Sequence, residues 1–222
     1  MESVSIQTVK GELFIGEKER ITAIRAVKNN TNMHTKQLGT HNFADVYKKL
    51  GININTLGCV MLDIKKGEIE NLLDEEELYY SPSKEMFWIK GFVAGKVPHL
   101  TLLYGLMKSG TLYEPYIKKV LTGWKMKTVT IDEVSYFDST YEKEPYYCIV
   151  AKAKVTPALR EGHERLQFLP HIDTFAGYKP HVTIAYIKKD RKLRDRIIKD
   201  YAESLEGKKL SVTGINLGGE KG

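Results

Sequence analysis

The sequence predicts an α+β fold of two lobes, and three observations lead there. Strand-like and helix-like runs alternate along the chain. The alternation starts afresh after the middle, near Lys127. One phrase is also written twice, PHLTLLYG at Pro98 to Gly105 and PHVTIAYI at Pro180 to Ile187, each spelling Pro-His-x-Thr-x-x-Tyr inside an apolar run. A strand that recurs in two halves of mixed strand and helix is the trace of two related lobes.

The elements follow in order. SIQTVK and ITAIRAV have strand character and are separated by the turn residues GEKE, after which NNTNMHTKQLGTHN is polar and reads as loop. FADVYKKL, Phe43 to Leu50, has helical spacing and stops at Gly51. Residues 1–50 are therefore expected to form an N-terminal extension, with the main domain over 51–222. LGCVMLDI is a nearly continuous apolar strand. GEIENLLDEEELY is expected to be helical, with Leu72, Leu73 and Leu78 on its buried side and Asp74 to Glu77 on its wet face. MFWIKGFVAG leads into the first histidine strand, and LYEPYIKKVLTG is a helix ended by Gly123.

In the second half KTVTIDEVSYF and YYCIVAKAKV are two strands joined by the turn-rich DSTYEKEP. TPALREGHERLQFL opens a helix with Thr156 as N-cap and Pro157 in the first turn. The second histidine strand follows. DRKLRDRIIKDYAESLEG is a helix ended by Gly207, its run from Lys188 to Lys199 alternating in sign like a solvated face, and KKLSVTGINL closes the chain as a strand.

Composition bounds the function. With 222 residues, 42% apolar and 28% charged, the chain can bury a core of its own. Its apolar runs, such as Cys59 to Leu62 and Cys148 to Ala151, fall far short of the ~18 residues of a membrane span. MESVSIQTVK lacks the basic and then apolar order of a secretory leader. The expected location is the cytoplasm, that of a bacterial host if a phage encodes the chain. Cys59 and Cys148, each inside a strand-like run, are expected to be buried free thiols. The net charge of +6 falls wholly in residues 150–222, which favours a polyanionic partner. No membrane and no obligate protein partner is indicated.

The doubled phrase carries the chemistry. Side chains alternate along a strand, so His99 shares a face with Thr101, and His181 with Thr183. Tyr104 and Tyr186, five residues beyond their histidines, face the other way if the strands are regular. Two histidines and two threonine hydroxyls across one cleft suit phosphodiester chemistry. One imidazole takes a proton from the attacking hydroxyl, and the other gives one to the leaving oxygen. The hydroxyls donate to the non-bridging phosphate oxygens. No cofactor is implied, and no metal: neither His34 with His41 nor His163 with His171 has a ligand spacing. Trp88, Phe87, Tyr80 and Trp124 are aromatic candidates for stacking on bases.

On these residues PHLTLLYG and PHVTIAYI resemble the paired His-x-Thr/Ser motifs of the 2H phosphoesterase superfamily, over roughly Gly51 to Leu217. The resemblance implies two pseudo-symmetric lobes of mainly antiparallel sheet with flanking helices, and both histidines in a central cleft without a metal. It implies His99 and His181 as the acid/base pair and Thr101 and Thr183 as phosphate-binding hydroxyls. Tyr104, Tyr186 and Trp88 are separate candidates for contact with the substrate. GCVMLDI, the LYY segment and GKVPHLTLLYGL are similar to the phage anti-CBASS enzymes, which destroy cyclic oligonucleotide signals. The implied substrate is a cyclic di- or trinucleotide or another small phosphodiester. The alternatives are an RNA-processing enzyme acting on 2',3'-cyclic ends or 2'-5' linkages, and a module that sequesters a nucleotide without cleaving it.

Overall fold

The computed structural model describes residues 57–84, 89–139, 144–172 and 177–218. The chain separates into two compact units, Met1–Val46 and Tyr47–Gly222, and all that follows concerns the second. The expected strands SIQTVK and ITAIRAV, the helix FADVYKKL and the extension 1–50 lie outside the described residues. So do Phe87 and Trp88.

Six strands and three α-helices are described: β1 (Gly58–Ile64), β2 (His99–Leu106), α1 (Glu114–Val120), β3 (Thr128–Asp138), β4 (Tyr146–Ala153), α2 (Pro157–Leu166), β5 (His181–Lys188), α3 (Arg191–Leu205) and β6 (Lys209–Gly218). All pairings are antiparallel and close into a barrel in the order β1-β2-β5-β4-β3-β6. The closure is uneven. β6-β1-β2 and β3-β4-β5 are each paired along most of their length, whereas the seams between these halves hold one register pair at Leu100↔Val182 and three between Thr128 and Thr130 and their partners on β6. The two expected lobes are thus two three-stranded halves, each contributing one histidine strand to the narrower seam.

The helices form where the sequence sets their ends. Thr156 accepts from Leu159 N at 3.2 Å and caps α2, with Pro157 opening its first turn. Asp190 does the same for α3 through Leu193 N at 2.8 Å, and Gly207, at φ 79, lets the chain leave. α2 packs on β2, and α3 on β3 and β4. Leu159 and Leu166 of α2 and Ile197, Tyr201 and Leu205 of α3 join Leu100, Leu102, Val182 and Ile184 in the core. Among the described residues no helix is long and apolar enough to cross a membrane. Cys59 and Cys148 are free thiols as expected, Cys148 buried and Cys59 half-buried.

The segment 67–79 departs from expectation. It is not an α-helix: only a 3-10 turn forms, at Glu75–Glu77, and Leu72 is exposed while Leu73 and Leu78 are buried. In a helix Glu70 and Asp74, four apart, and Asp74 and Glu77, three apart, would be like-charged neighbours that repel. The backbone finds distant partners instead. Tyr201 Oη donates to Glu70 O at 3.0 Å and accepts from Leu72 N at 3.1 Å, Lys208 Nζ donates to Glu68 O at 2.7 Å, and Tyr79 N donates to Tyr186 O at 2.9 Å. Tertiary bonds satisfy the peptide groups that a helix would have paired internally.

Candidate active site

β2 and β5 are built alike to a degree that the sequence only suggests. Read from the histidine, the first seven positions of both have one burial pattern: half-buried His, Thr and Tyr at the first, third and sixth, and buried residues between. A β-bulge sits at the same place in each. Met61 pairs with Thr101 and Val60 with Leu103, so Leu102 is the extra residue in β2; Val150 pairs with Thr183 and Ile149 with Ala185, so Ile184 is the extra residue in β5. An extra residue inverts the alternation that follows it. Tyr104 and Tyr186 are thereby turned onto the face of the histidines and threonines, where regular strands would have placed them opposite. Cys148 bonds the side chains of both Thr183 and Tyr186, so these two share a face. Burial pushes the Cys148 thiol up to about 12, so it stays a neutral packing group beside Thr183.

Each bulge frees carbonyls from the ladder, and each is satisfied differently. Leu102 O accepts from His163 Nδ1 of α2 at 2.6 Å, and Thr101 O accepts from Tyr178 Oη at 3.4 Å. The two donors stack in parallel, ring centroids 3.9 Å apart at 6°. Ile184 O instead accepts from Val93 N and Ala94 N, at 2.9 and 3.1 Å, in the segment that precedes β2. The two bulged strands are therefore held from outside the barrel ladder, which fixes where Thr101 and Thr183 point.

The histidine rings are also matched. His99 Nδ1 donates to Val97 O at 3.0 Å, and His181 Nδ1 to Lys179 O at 2.9 Å. A carbonyl only accepts, so in both rings the proton sits on Nδ1. Nε2 is then the atom that gains or loses a proton at the site. The intervening proline, Pro98 or Pro180, sets the bend that brings the ring back to the carbonyl two residues earlier. Leu169-Pro170-His171 makes the same bond at 2.8 Å without lying on either strand. The Pro-His bond is thus a local habit, and the following threonine is what marks the site.

The surroundings of the two rings differ in charge. Paired strand residues share a face with Cβ atoms ~4.5–5.5 Å apart, and the partner of His99 is Asp63, whereas the partner of His181 is Lys152. Lys152 in turn bonds Glu133 on β3 at 3.0 Å. Burial holds the His181 imidazole below its ordinary value; the bond to the Lys179 carbonyl opposes this, and the charges of His99 and Lys152 add smaller downward contributions. The influence of His99 also puts the two rings in one electrostatic neighbourhood. Phe137 of β3, exposed at 37%, lies edge-on to His181 with centroids 5.0 Å apart.

The remaining candidates are dispersed. Tyr186 packs edge-on against Tyr146 at 5.2 Å, beside Ile89, Cys148 and Val150. Tyr80 is half-exposed with its ring over Gly91, where a Cβ would sit 2.6 Å from it. Trp124 lies on Gly162 of α2 and donates to Ala158 O at 2.7 Å, a packing role on the helical side. Asp63, Lys152 and Phe137 escaped the sequence reading because each becomes a neighbour only through strand register.

A family model matches residues 84–221, described as the 2'-5' RNA ligase superfamily. The chain belongs to the 2'-5' RNA ligase superfamily. That span contains both His-x-Thr strands, and the superfamily, one of 2H phosphoesterases, makes this fold the frame of a phosphodiesterase. No curated protein matches the chain. Among solved structures, Usb1 of Kluyveromyces marxianus is similar at 11% identity and a TM-score of 0.41, over 74% of this chain and 98% of that one. That likeness is too slight to add to the superfamily assignment.

Proposed function

We propose that the two matched strands form a metal-independent phosphodiesterase site, which opens a phosphodiester next to a ribose 2'-OH. The observation that carries this is the duplication itself: two imidazoles with Nδ1 tied to a carbonyl and Nε2 left for chemistry, each beside a threonine hydroxyl. His181, buried and opposite Lys152, is suited to act as the neutral base. Its Nε2 takes the 2'-OH proton as the oxygen bonds to phosphorus. His99, opposite the carboxylate of Asp63, is suited to enter protonated. Its Nε2 gives that proton to the 5'-oxygen as the P–O5' bond breaks. Thr101 and Thr183 donate to the non-bridging oxygens. The products are a 2',3'-cyclic phosphate and a free 5'-OH, and the histidines end with their roles exchanged, ready to activate water against the cyclic phosphate.

For the substrate we propose cyclic di- and trinucleotides of the kind used in bacterial immune signalling, with the chain acting as a phage anti-CBASS enzyme in the host cytoplasm. The excess of positive charge in residues 150–222 suits such polyanions. A second reading, an RNA enzyme acting on 2',3'-cyclic ends or 2'-5' linkages, is favoured by the family model matched. Incubation with cyclic dinucleotides, cyclic trinucleotides, 2'-5' oligoadenylate and RNA bearing a 2',3'-cyclic end separates the two. Turnover is expected to persist in excess EDTA. Loss of activity restored by a divalent ion overturns the two-histidine mechanism, and tight binding without products identifies a sequestering module.

The base assignment predicts a pH shift. Because burial and neighbouring cations hold His181 below the ordinary histidine value of ~6.5, the acidic limb of kcat/KM is expected below that pH. Activity falls there as Nε2 becomes protonated. The charged groups facing His181 are Lys152 on β4, with Glu133 bonded to it, and His99 on β2. Lys152→Met removes one cation, so imidazolium is less disfavoured and the acidic limb moves to higher pH by about 0.3–1 unit. An unmoved limb assigns the base elsewhere.

A further inference from the structure

The proposed mechanism leaves open where the departing nucleoside lies. Beside His99 is a cleft of about 330 Å3, at the lower end of the ~300–1,000 Å3 typical of small-molecule sites and suited to one nucleoside. It is formed by Val97 and Pro98, which lead into His99, by the exposed Lys65 and Lys66, and by Asp63 with Asn216. Asp63 is the chemical centre of this cleft. Its Oδ1 accepts from Asn216 Nδ2 at 3.3 Å, which orients the carboxylate. Across from it on β6 stands Gly214, and even an added Cβ there would remain 3.9 Å from Oδ2. Among the described residues no donor is bonded to Oδ2.

We infer that this cleft is the subsite for the nucleoside on the leaving side of the scissile phosphate, and that it favours a base presenting an amino group over uracil. This rests on the acid–base reading above for its polarity, since a nucleoside here has its 5'-oxygen next to His99, the assigned proton donor. The specificity rests on Asp63. A carboxylate only accepts hydrogen bonds, so it pairs with the amino group of adenine, cytosine or guanine. Uracil instead shows it two carbonyl oxygens flanking a single N–H. Val97 and Pro98 supply apolar surface for the face of the base, and Lys65 and Lys66 supply charge for a further phosphate.

The test uses ribodinucleoside monophosphates that differ only in the base of the 5'-linked nucleoside, beside adenosine 3'-(p-nitrophenyl phosphate), which has no leaving nucleoside. The intact protein is expected to favour adenosine and cytidine over uridine as leaving nucleosides by about tenfold in kcat/KM, the scale of one hydrogen bond to a charged group. Asp63→Asn, whose amide both donates and accepts, should bring the ratio within about threefold. That ratio is insensitive to any effect on His99, which gives its proton to the same 5'-oxygen in every dinucleotide. Thr213→Trp, at the exposed edge of the cleft, should raise KM for the dinucleotides at least fivefold more than for the p-nitrophenyl ester. Binding provides an arm that needs no turnover: AMP and CMP should shift the amide resonances of Gly214 and Asn216 at lower concentration than UMP, and Thr213→Trp should abolish the shifts. Equal binding of the three, or an Asp63→Asn variant with the base preference intact, overturns the subsite. Unimpaired turnover in the histidine variants would instead overturn the acid–base reading while leaving the binding order in place.

Discussion

Replacing His99 or His181 with alanine is expected to lower turnover of a dinucleotide by about 10²–10⁴-fold, with the double replacement little worse than either single one. Two groups that move one proton each in a single displacement act as a unit, so their losses do not multiply. The two variants part company on the p-nitrophenyl ester. Its leaving group departs as a stable anion and needs no proton, so His99→Ala should recover most of its activity there. His181→Ala should not, because the 2'-OH still has to lose its proton. Rescue of His181→Ala in place of His99→Ala would reverse the polarity assigned from Asp63 and Lys152. Multiplicative losses would mean that the two rings serve different sites. The cross-strand partners are the reason for expecting this asymmetry in strands otherwise alike in burial, bulge and ring bonding.

What the sequence made legible was what a strand or helix writes locally. The cap at Thr156, the exit at Gly207 and the paired Pro-His-x-Thr runs are each set within a few residues, and the structure has them where the spacing put them. The sequence misled where distant partners decide. The apolar spacing of Leu72, Leu73 and Leu78 suggested a helix, but Tyr201 and Lys208, far along the chain, take the backbone groups of that segment. Tyr104 and Tyr186 would face away from their histidines only in regular strands, and a bulge leaves no mark in a run of apolar residues. Gly105 shows how such a detail is enforced: at φ 107 its hydrogen points at Ile172 O, where a Cβ would come within 2.1 Å, and Ile172 N donates back to Gly105 O at 2.8 Å. Asp63 and Lys152 stayed invisible because register between strands is fixed by the folded sheet, and one sequence does not reveal which residue faces which.

A substrate whose attacked ribose is 2'-deoxy is expected to bind within about threefold of its ribose counterpart and to be cleaved at least ~10³-fold more slowly. The phosphates and bases that dominate binding are unchanged by the missing oxygen. The chemistry is not, because a 2'-OH already tethered beside the phosphorus has an effective concentration of ~10⁵ M or more, and water brought into the cleft must forgo that advantage. Early time points should contain the 2',3'-cyclic phosphate and the free 5'-OH, with a linear 3'-phosphate accumulating later, as His99, now neutral, activates water and His181 returns its proton to the 2'-oxygen. Mass spectrometry of the first turnovers distinguishes these species. Rapid cleavage of the deoxy analogue, or a 5'-phosphate product from the outset, would mean that water attacks first. The base would then have to hold a water molecule in place of a ribose hydroxyl, and the orientation of the substrate between His181 and the cleft beside His99 would be lost with it.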